Sequence, residues 1–349
     1  MSKLCRLEIN GNSISVRRGD LLLDAALLGG VEIPHDCRSG HCGTCRVRVL
    51  DGCVFGGKAD ADSVFACQAR ILSNARITLE EAPASTTLHG IVAAVTPLAA
   101  DTSEVCIEVN EPAEYIAGQY YRVQFRGFPA RCFSPTRPLD WPSNEAFLRF
   151  HIARVRGGRV SSQLGRRIRP GGRVTLMGPF GSAYLRNFHD RRLVLVASGT
   201  GFAPIWAIAE AAIRTEPRRQ IMLVISVRNL ASLYMIPALC RLALFPNVRI
   251  IPVASERQEV TAAVREGRIT DHLPDLTSND IVFVAGAPGM VRAVARISES
   301  AGAICYSDPF EPAVRGMAGD LRWRAAGWLR SRAEMFSPYP PRVHSLIGT

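Results

Sequence analysis

Cys37-Arg-Ser-Gly-His-Cys42-Gly-Thr-Cys45, followed by Cys67, is the stretch on which the reading of this chain turns. The spacing is C-x4-C-x2-C-x21-C. Four thiolates spaced in this way can close around the two irons of a [2Fe–2S] cluster. The small residues Ser39, Gly40, Gly43 and Thr44 let backbone N–H groups turn toward the sulfurs and favour the reduced, more negative cluster. A zinc site and four unrelated thiols are the competing readings. Structural zinc usually takes two close Cys/His pairs, and only Cys42 and Cys45 form one here. Cys5, Cys53, Cys106, Cys132, Cys240 and Cys305 have no comparable spacing and are expected to be small packing residues.

Outward from this loop the pattern is that of a small α+β module. Residues 4–9 and 13–16 alternate in polarity on either side of Asn10-Gly11, which predicts a hairpin. Asp20 to Leu28 predicts a short helix closed by Gly29-Gly30. Strands are expected at 46–50 and 76–80. Residues 81–88, small and polar with one Pro, read as a linker. From His89 to about Phe180, short β runs separated by Gly/Pro turns predict a barrel or sandwich. From Arg192 onward, apolar strands alternate with helices, the pattern of a parallel sheet. The expected domains are 1–83, 84–188 and 189–310, with a basic extension over 311–349 whose stretch 321–336 could form an Arg-rich amphipathic helix.

The 349 residues carry a net charge of +11, with Lys only at positions 3 and 58. No long basic run exists, so no nucleic-acid partner is expected. The start, MSKLCRLEIN, turns polar too soon for a signal peptide. The most apolar stretch, Leu193 to Ile213, is broken by Gly199, Gly201 and Pro204, so no transmembrane segment is expected. A cytoplasmic monomer is the expectation, its thiols serving as ligands or packing residues rather than disulfides.

At the cysteine loop the chain resembles a known family. Residues 1–81 resemble a plant-type [2Fe–2S] ferredoxin domain of β-grasp fold, and the remainder resembles a ferredoxin–NADP reductase-type flavoprotein. This domain order resembles the reductase components of bacterial ring-hydroxylating dioxygenases; phenol-hydroxylase and methane-monooxygenase reductases share it. The resemblance implies Cys37, Cys42, Cys45 and Cys67 as cluster ligands, an antiparallel β-barrel that binds FAD, and an α/β domain that binds NADH or NADPH. The 21-residue gap between Cys45 and Cys67 is shorter than most relatives show; closing a trimmed loop costs little entropy.

Arg131-Cys132-Phe133-Ser134 resembles the family motif R-x-[YF]-S. There an Arg can clamp the pyrophosphate, an aromatic ring can cover the flavin face and a Ser hydroxyl can reach the flavin edge. The resemblance further implies FAD contacts from His151, Ile152 and Arg154, and from Gly158, Arg159, Val160 and Ser161 ahead of a helix-like SQLGRRI. Phe310, in YSDPF, matches an aromatic placed near the flavin. Gly199-Thr200-Gly201-Phe202-Ala203-Pro204 after an apolar strand presents a helix N-terminus to a dinucleotide pyrophosphate. Ala285-Gly286-Ala287-Pro288 resembles the family's C-G-x-P loop at the nicotinamide, with Ala285 where Cys is usual. Arg228 could meet a 2′-phosphate, which keeps NADPH open beside the expected NADH.

The implied activity is transfer of electrons from NADH through FAD and the cluster to a ferredoxin or oxygenase partner, with no catalytic acid, base or nucleophile required of the protein. Arg38, Arg46 and Arg48 flank the cluster and could meet an acidic acceptor. The alternatives are a reductase serving a diiron hydroxylase or a deoxysugar dehydrase, and a non-enzymatic electron carrier or redox sensor with a degenerate flavin module.

Overall fold

Asn10 and Gly11 both adopt positive φ, 46° and 84°, the combination a type I′ turn needs to match the twist of the strands it joins. They connect β1 (Leu4–Ile9) to β2 (Asn12–Arg17) in antiparallel register. A computed structural model describes this chain over residues 4–40, 42–79, 83–138, 146–186, 191–256 and 263–310. The first sheet is completed by β3 (Arg46–Phe55), β4 (Ser63–Phe65) and β5 (Arg70–Leu79), in the order β2-β1-β5-β3-β4. One helix, α1 (Leu22–Leu28), buries Leu22, Leu23, Ala25 and Ala26 with Leu7, Ile9, Val47, Ile71 and Ile77 of the sheet. The cysteine loop runs from the end of this helix to the start of β3, which is how one short segment is pinned at both ends.

The second sheet contains β6 (Thr86–Ala99), β7 (Thr102–Val109), β8 (Tyr120–Phe125), β9 (Arg131–Phe133), β10 (Pro135–Thr136), β11 (Phe147–Ala153) and β12 (Arg173–Phe180). Their order is β10-β11-β7-β6-β12-β8-β9, antiparallel throughout. The two edge strands are consecutive in sequence with Ser134 alone between them. One chain segment therefore belongs to both ends of the sheet, which curls it into the expected barrel around Val105, Ile107, Tyr121, Phe150 and Leu176.

The third sheet is parallel: β13 (Arg192–Ser198), α2 (Phe202–Thr215), β14 (Ile221–Val227), α3 (Ile236–Leu242), β15 (Val248–Ala254), β16 (Arg265–Glu266), β17 (Asp280–Gly286), α4 (Pro288–Ser300) and β18 (Ile304–Pro309). The order is β16-β15-β14-β13-β17-β18. Leu193, Leu195 and Ala197 enter the core under α2 and α3, while Val194 and Val196 enter the one containing Val291 and Val294 of α4. The continuous apolar run of β13 thus serves two faces. The strand order reverses between β13 and β17, so the crevice at their carboxyl ends is where such a sheet takes a ligand. At the opposite end Arg192 grips the buried Asp280 through two bonds of 2.7 and 2.8 Å. Burial alone would raise the Asp280 pKa; Arg192 and Thr277 outweigh it and hold the carboxyl below its usual range.

Several expectations shift. The linker ends early, because Thr86 already pairs with Gly178 at the start of β6. SQLGRRI is not a helix. It makes a single 3-10 turn at Ser161–Gln163, and Gly165 at φ 73° then turns the chain so that Leu164 bridges Ile168. Of the helices expected after Arg192, α3 is short, Ile236–Leu242, with Pro237 in its first turn. The first four residues of YSDPF belong to β18, which ends at Pro309. The extension over 311–349, including 321–336, lies outside the described residues.

Candidate functional site

The cysteine loop is shaped by three left-handed residues, Arg38 (φ 55°), Gly40 (77°) and Gly43 (69°). Arg38 tolerates this conformation while its guanidinium is tied to Asp24 at 3.0 Å. The curl turns backbone donors inward: the N–H groups of Ser39 and Cys42 each reach Cys37 Sγ at 3.4 Å. Cys42 Sγ lies 3.1 Å from Thr44 Oγ1, and Gln68 Nε2 donates to Cys67 Sγ at 3.7 Å. The thiols fall into two mutually bonded pairs, Cys37 with Cys42 and Cys45 with Cys67. In each pair one thiol is pushed toward the thiolate, Cys37 by the bond from Cys42 and Cys67 by the bond from Cys45. Among the described residues no three ligating side chains converge as they would on one ion. Two close thiol pairs with inward N–H donors are what a two-iron cluster takes, and they do not suit a single zinc. Cys53, Cys132 and Cys240 are exposed, which corrects the expectation that all the remaining cysteines pack inside.

At the barrel seam, Arg131, Cys132 and Phe133 pair with Val123, Arg122 and Tyr121 of β8. Phe133 leans on Phe150 with ring centroids 6.4 Å apart, and Arg131 donates to its neighbour's carbonyl at Ala130. Ser134, buried, donates its hydroxyl to Asp308 Oδ2 at 3.2 Å across 174 positions of sequence. Desolvation pushes the Asp308 pKa up to about 6, with the Ser134 bond partly opposing it. His151 is buried, with Nε2 3.5 Å from Glu104 Oε2 and Nδ1 unpartnered. Ile152 and Val160 are core residues of the barrel, so their side chains are not free to meet a cofactor; any contact there is made by backbone. Arg154 and Arg159 are exposed. Ser161 Oγ accepts the Val155 N–H at 3.0 Å, and a Cβ at Gly158 would stand 2.6 Å from that same oxygen. The 157–161 stretch is therefore a tight turn locked by Ser161, not a helix start.

The two loops at the switch point are laced together. A Cβ on Gly201 would fall 2.2 Å from the Ala285 carbonyl oxygen, and one on Gly286 (φ 125°) 2.4 Å from Ser198 Oγ. The Ala287 N–H reaches Ser198 Oγ at 2.9 Å, and the Phe310 N–H reaches the Gly286 carbonyl at 2.8 Å. Gly199 and Thr200 make one 3-10 turn with Gly201 before α2 begins, and Ala203 and Pro204 are buried in its first turn. The Thr136 hydroxyl donates to the Ala203 carbonyl at 3.1 Å, and Trp206 Nε1–H to the Arg137 carbonyl, also at 3.1 Å. The segment after Ser134 is thereby fixed to the Gly199–Pro204 turn. Pro288 opens α4. Phe310 packs against the core of the third sheet. Arg228 is mostly exposed, its Nε 3.7 Å from Glu256 Oε1.

Two readings change. Arg46 is not a surface charge: it is buried, paired with Asp60, and its guanidinium lies 4.6 Å over the Tyr306 ring. Arg38 and Arg48 already hold Asp24 and Asp62. Asp308 is the residue that sequence reading passed over; a carboxylate two positions before Phe310, at the end of a strand bordering the switch point, was its one signal.

Comparison with known proteins finds three family matches: 2Fe-2S iron-sulfur cluster binding domain over residues 7–72, oxidoreductase FAD-binding domain over 89–184 and oxidoreductase NAD-binding domain over 195–296. The chain is 31% identical to the ferredoxin–NAD(P)(+) reductase component of a naphthalene 1,2-dioxygenase system from Pseudomonas putida, over 88% of this chain and 98% of that one. It is 32% identical to the corresponding component of the naphthalene 1,2-dioxygenase/salicylate 5-hydroxylase systems of a Ralstonia species, over 86% and 96%. Among solved structures, an Amycolatopsis cytochrome P450 reductase aligns at TM-score 0.64 and 28% identity, covering 89% of this chain and all of that one. A ferredoxin reductase in carbazole 1,9a-dioxygenase aligns at 0.62 and 25%, covering 89% and 99%. Among the described residues no helix is long and apolar enough to cross a membrane.

Proposed function

Since this chain belongs to the family of ferredoxin–NAD(P)(+) reductase components with [2Fe–2S], FAD and NAD domains, we propose that it carries electrons from NADH to a ferredoxin or to the oxygenase of a system that hydroxylates aromatic compounds. FAD held by this chain's residues would supply two-electron acceptance and single-electron release. The protein's own part is placement and proton control. Gly199, Thr200 and Gly201 open a helix N-terminus toward the dinucleotide phosphates. Gly286, Ala287 and Pro288 form the opposite wall. Arg131, Phe133 and Ser134 hold the flavin at the barrel seam, with Gly158, Arg159 and the 157–161 turn meeting its phosphates. Ser134 and Asp308 hold one proton between them near the flavin edge, where a group with a pKa of about 6 can take or give it at neutral pH.

The single observation behind this reading is the Ser134–Asp308 bond. It joins the barrel seam to the edge of the parallel sheet and so fixes one site from two domains. Glu256 beside Arg228 cancels the charge that a 2′-phosphate would need, which favours NADH. Four thiols reserved for a cluster call for a reducing setting, which favours the cytoplasm.

The test is the purified protein's cofactor content and its NADH-dependent reduction of cytochrome c. Flavin with about two irons per chain and rapid reduction is the expected result. Iron without flavin would make it a carrier rather than a reductase. Reduction of a Rieske oxygenase or its ferredoxin, set against a diiron hydroxylase, identifies the acceptor.

A further inference from the structure

Electrons that reach the flavin must next cross to the cysteine loop, so the contacts fixing that loop on the barrel decide the step. Asp36 stands one position before Cys37, and its side chain is almost fully buried. It belongs to the cluster loop, yet both of its partners belong to β8 of the barrel. The Tyr120 hydroxyl donates to Asp36 Oδ2 at 2.6 Å, and the Arg122 guanidinium pairs with Oδ1. A carboxylate is expensive to bury unless it is paired and hydrogen-bonded, so this one is kept for what it joins.

Beside it the loop and the barrel meet more closely still. The Gly181 N–H, at the end of β12, donates to Thr44 Oγ1 at 3.0 Å. The same hydroxyl oxygen lies 3.1 Å from Cys42 Sγ. A continuous bonded path thus leads from the barrel backbone to a cluster ligand through one side chain. Gly43 packs so closely on Ser182 that a Cβ would stand 2.0 Å from its Oγ, so the approach is set by van der Waals contact as well.

We propose that Asp36 is a positioning residue for internal electron transfer: through Tyr120 and Arg122 it clamps the cluster loop onto the barrel and keeps the Gly181–Thr44–Cys42 bridge closed. The inference rests on the reductase reading and concerns only the flavin-to-cluster step. The clamp is polar and close to charge balance, so it fixes distance and orientation without adding apolar adhesion.

The test uses the full-length protein with its cofactors and two variants, Asp36→Asn and Tyr120→Phe. The second removes one hydroxyl and leaves the loop's charge intact, so it remains informative if the first folds poorly. Rapid mixing with NADH separates reduction of the flavin from the following reduction of the cluster. Amide hydrogen exchange across 36–45 and at Gly181 reports the bridge itself. The expected result is a cluster-reduction step slowed about tenfold or more, faster exchange at Gly181 and Thr44, and an unaltered flavin-reduction step. Unchanged cluster reduction and exchange in both variants would overturn the clamp. So would equal slowing of both steps, which marks a merely structural residue. Failure of the parent protein to reduce its flavin with NADH would instead overturn the reductase reading and leave the exchange result to stand alone.

Discussion

The cysteine loop and the hydride site are built by opposite means. The loop's four thiols lie within 31 consecutive residues, Cys37 to Cys67, and its shape comes from left-handed positions inside it. The hydride site takes its parts from three distant segments, 131–136, 198–204 and 285–310, joined by single hydrogen bonds such as Ser134 to Asp308 and Thr136 to Ala203. A loop turned by its own backbone keeps its internal shape, while its barrel contacts fix where it sits. A site assembled between domains depends on each long-range contact. Substitutions in the two regions should therefore fail differently: in the first by loss of the cluster, in the second by graded loss of cofactor affinity or rate.

The largest effect is expected in the loop. Cys67→Ala leaves Cys45 without its paired thiol. The purified protein should then lose its cluster absorption and most of its iron while still oxidising NADH through the flavin, a division read from spectra and iron analysis. Retention of the full cluster band would show that the pairs are not the ligands.

Next is Gly201→Ala, where the new Cβ meets backbone that cannot yield. The two laced loops must part, and KM for NADH should rise about tenfold, equivalent to ~1.4 kcal/mol. Cluster absorption should be untouched. An unchanged KM would remove these loops from the dinucleotide site.

Asp308 gives a smaller effect with a defined sign. Its pKa is raised to about 6 from 3.8. The folded state therefore favours the protonated acid, and the stabilising contribution present below pH 4 is lost as pH rises through 6. Asp308→Asn should stabilise the protein at pH 7 by on the order of 2 kcal/mol relative to wild type, with the gain shrinking by pH 4, as urea unfolding would measure. Flavin reduction by NADH should slow, and its pH dependence near 6 should flatten.

The smallest effect is expected at Glu256→Gln. Breaking its exposed pair with Arg228, worth about 0.2–1 kcal/mol, should improve kcat/KM for NADPH a few-fold and leave NADH nearly unchanged. No shift in the ratio would mean the 2′-position lies elsewhere.

What could be read beforehand follows the same division. The Asn10-Gly11 hairpin, the cysteine loop and the apolar strands at 192–198 and 280–286 carry their signals in adjacent residues, and each forms. Asp36 and Asp308 were passed over because each is a single acid whose partner lies 84 or 174 positions away. Arg46 looked like a solvent-facing charge because nothing nearby announces Tyr306, 260 positions along. Ile152 and Val160 were assigned to the cofactor by motif position, yet both fill the barrel core. Strand alternation in β11 sends Ile152 inward, and the turn before Ser161 does the same for Val160.

Anaerobic titration of the protein with NADH, followed in the flavin and cluster absorption bands together, tests the central claim most directly. The account predicts that both bands bleach and that the chain takes up about three electrons in all, two at the flavin and one at the cluster. Bleaching of one band with the other unaffected at excess NADH would contradict it.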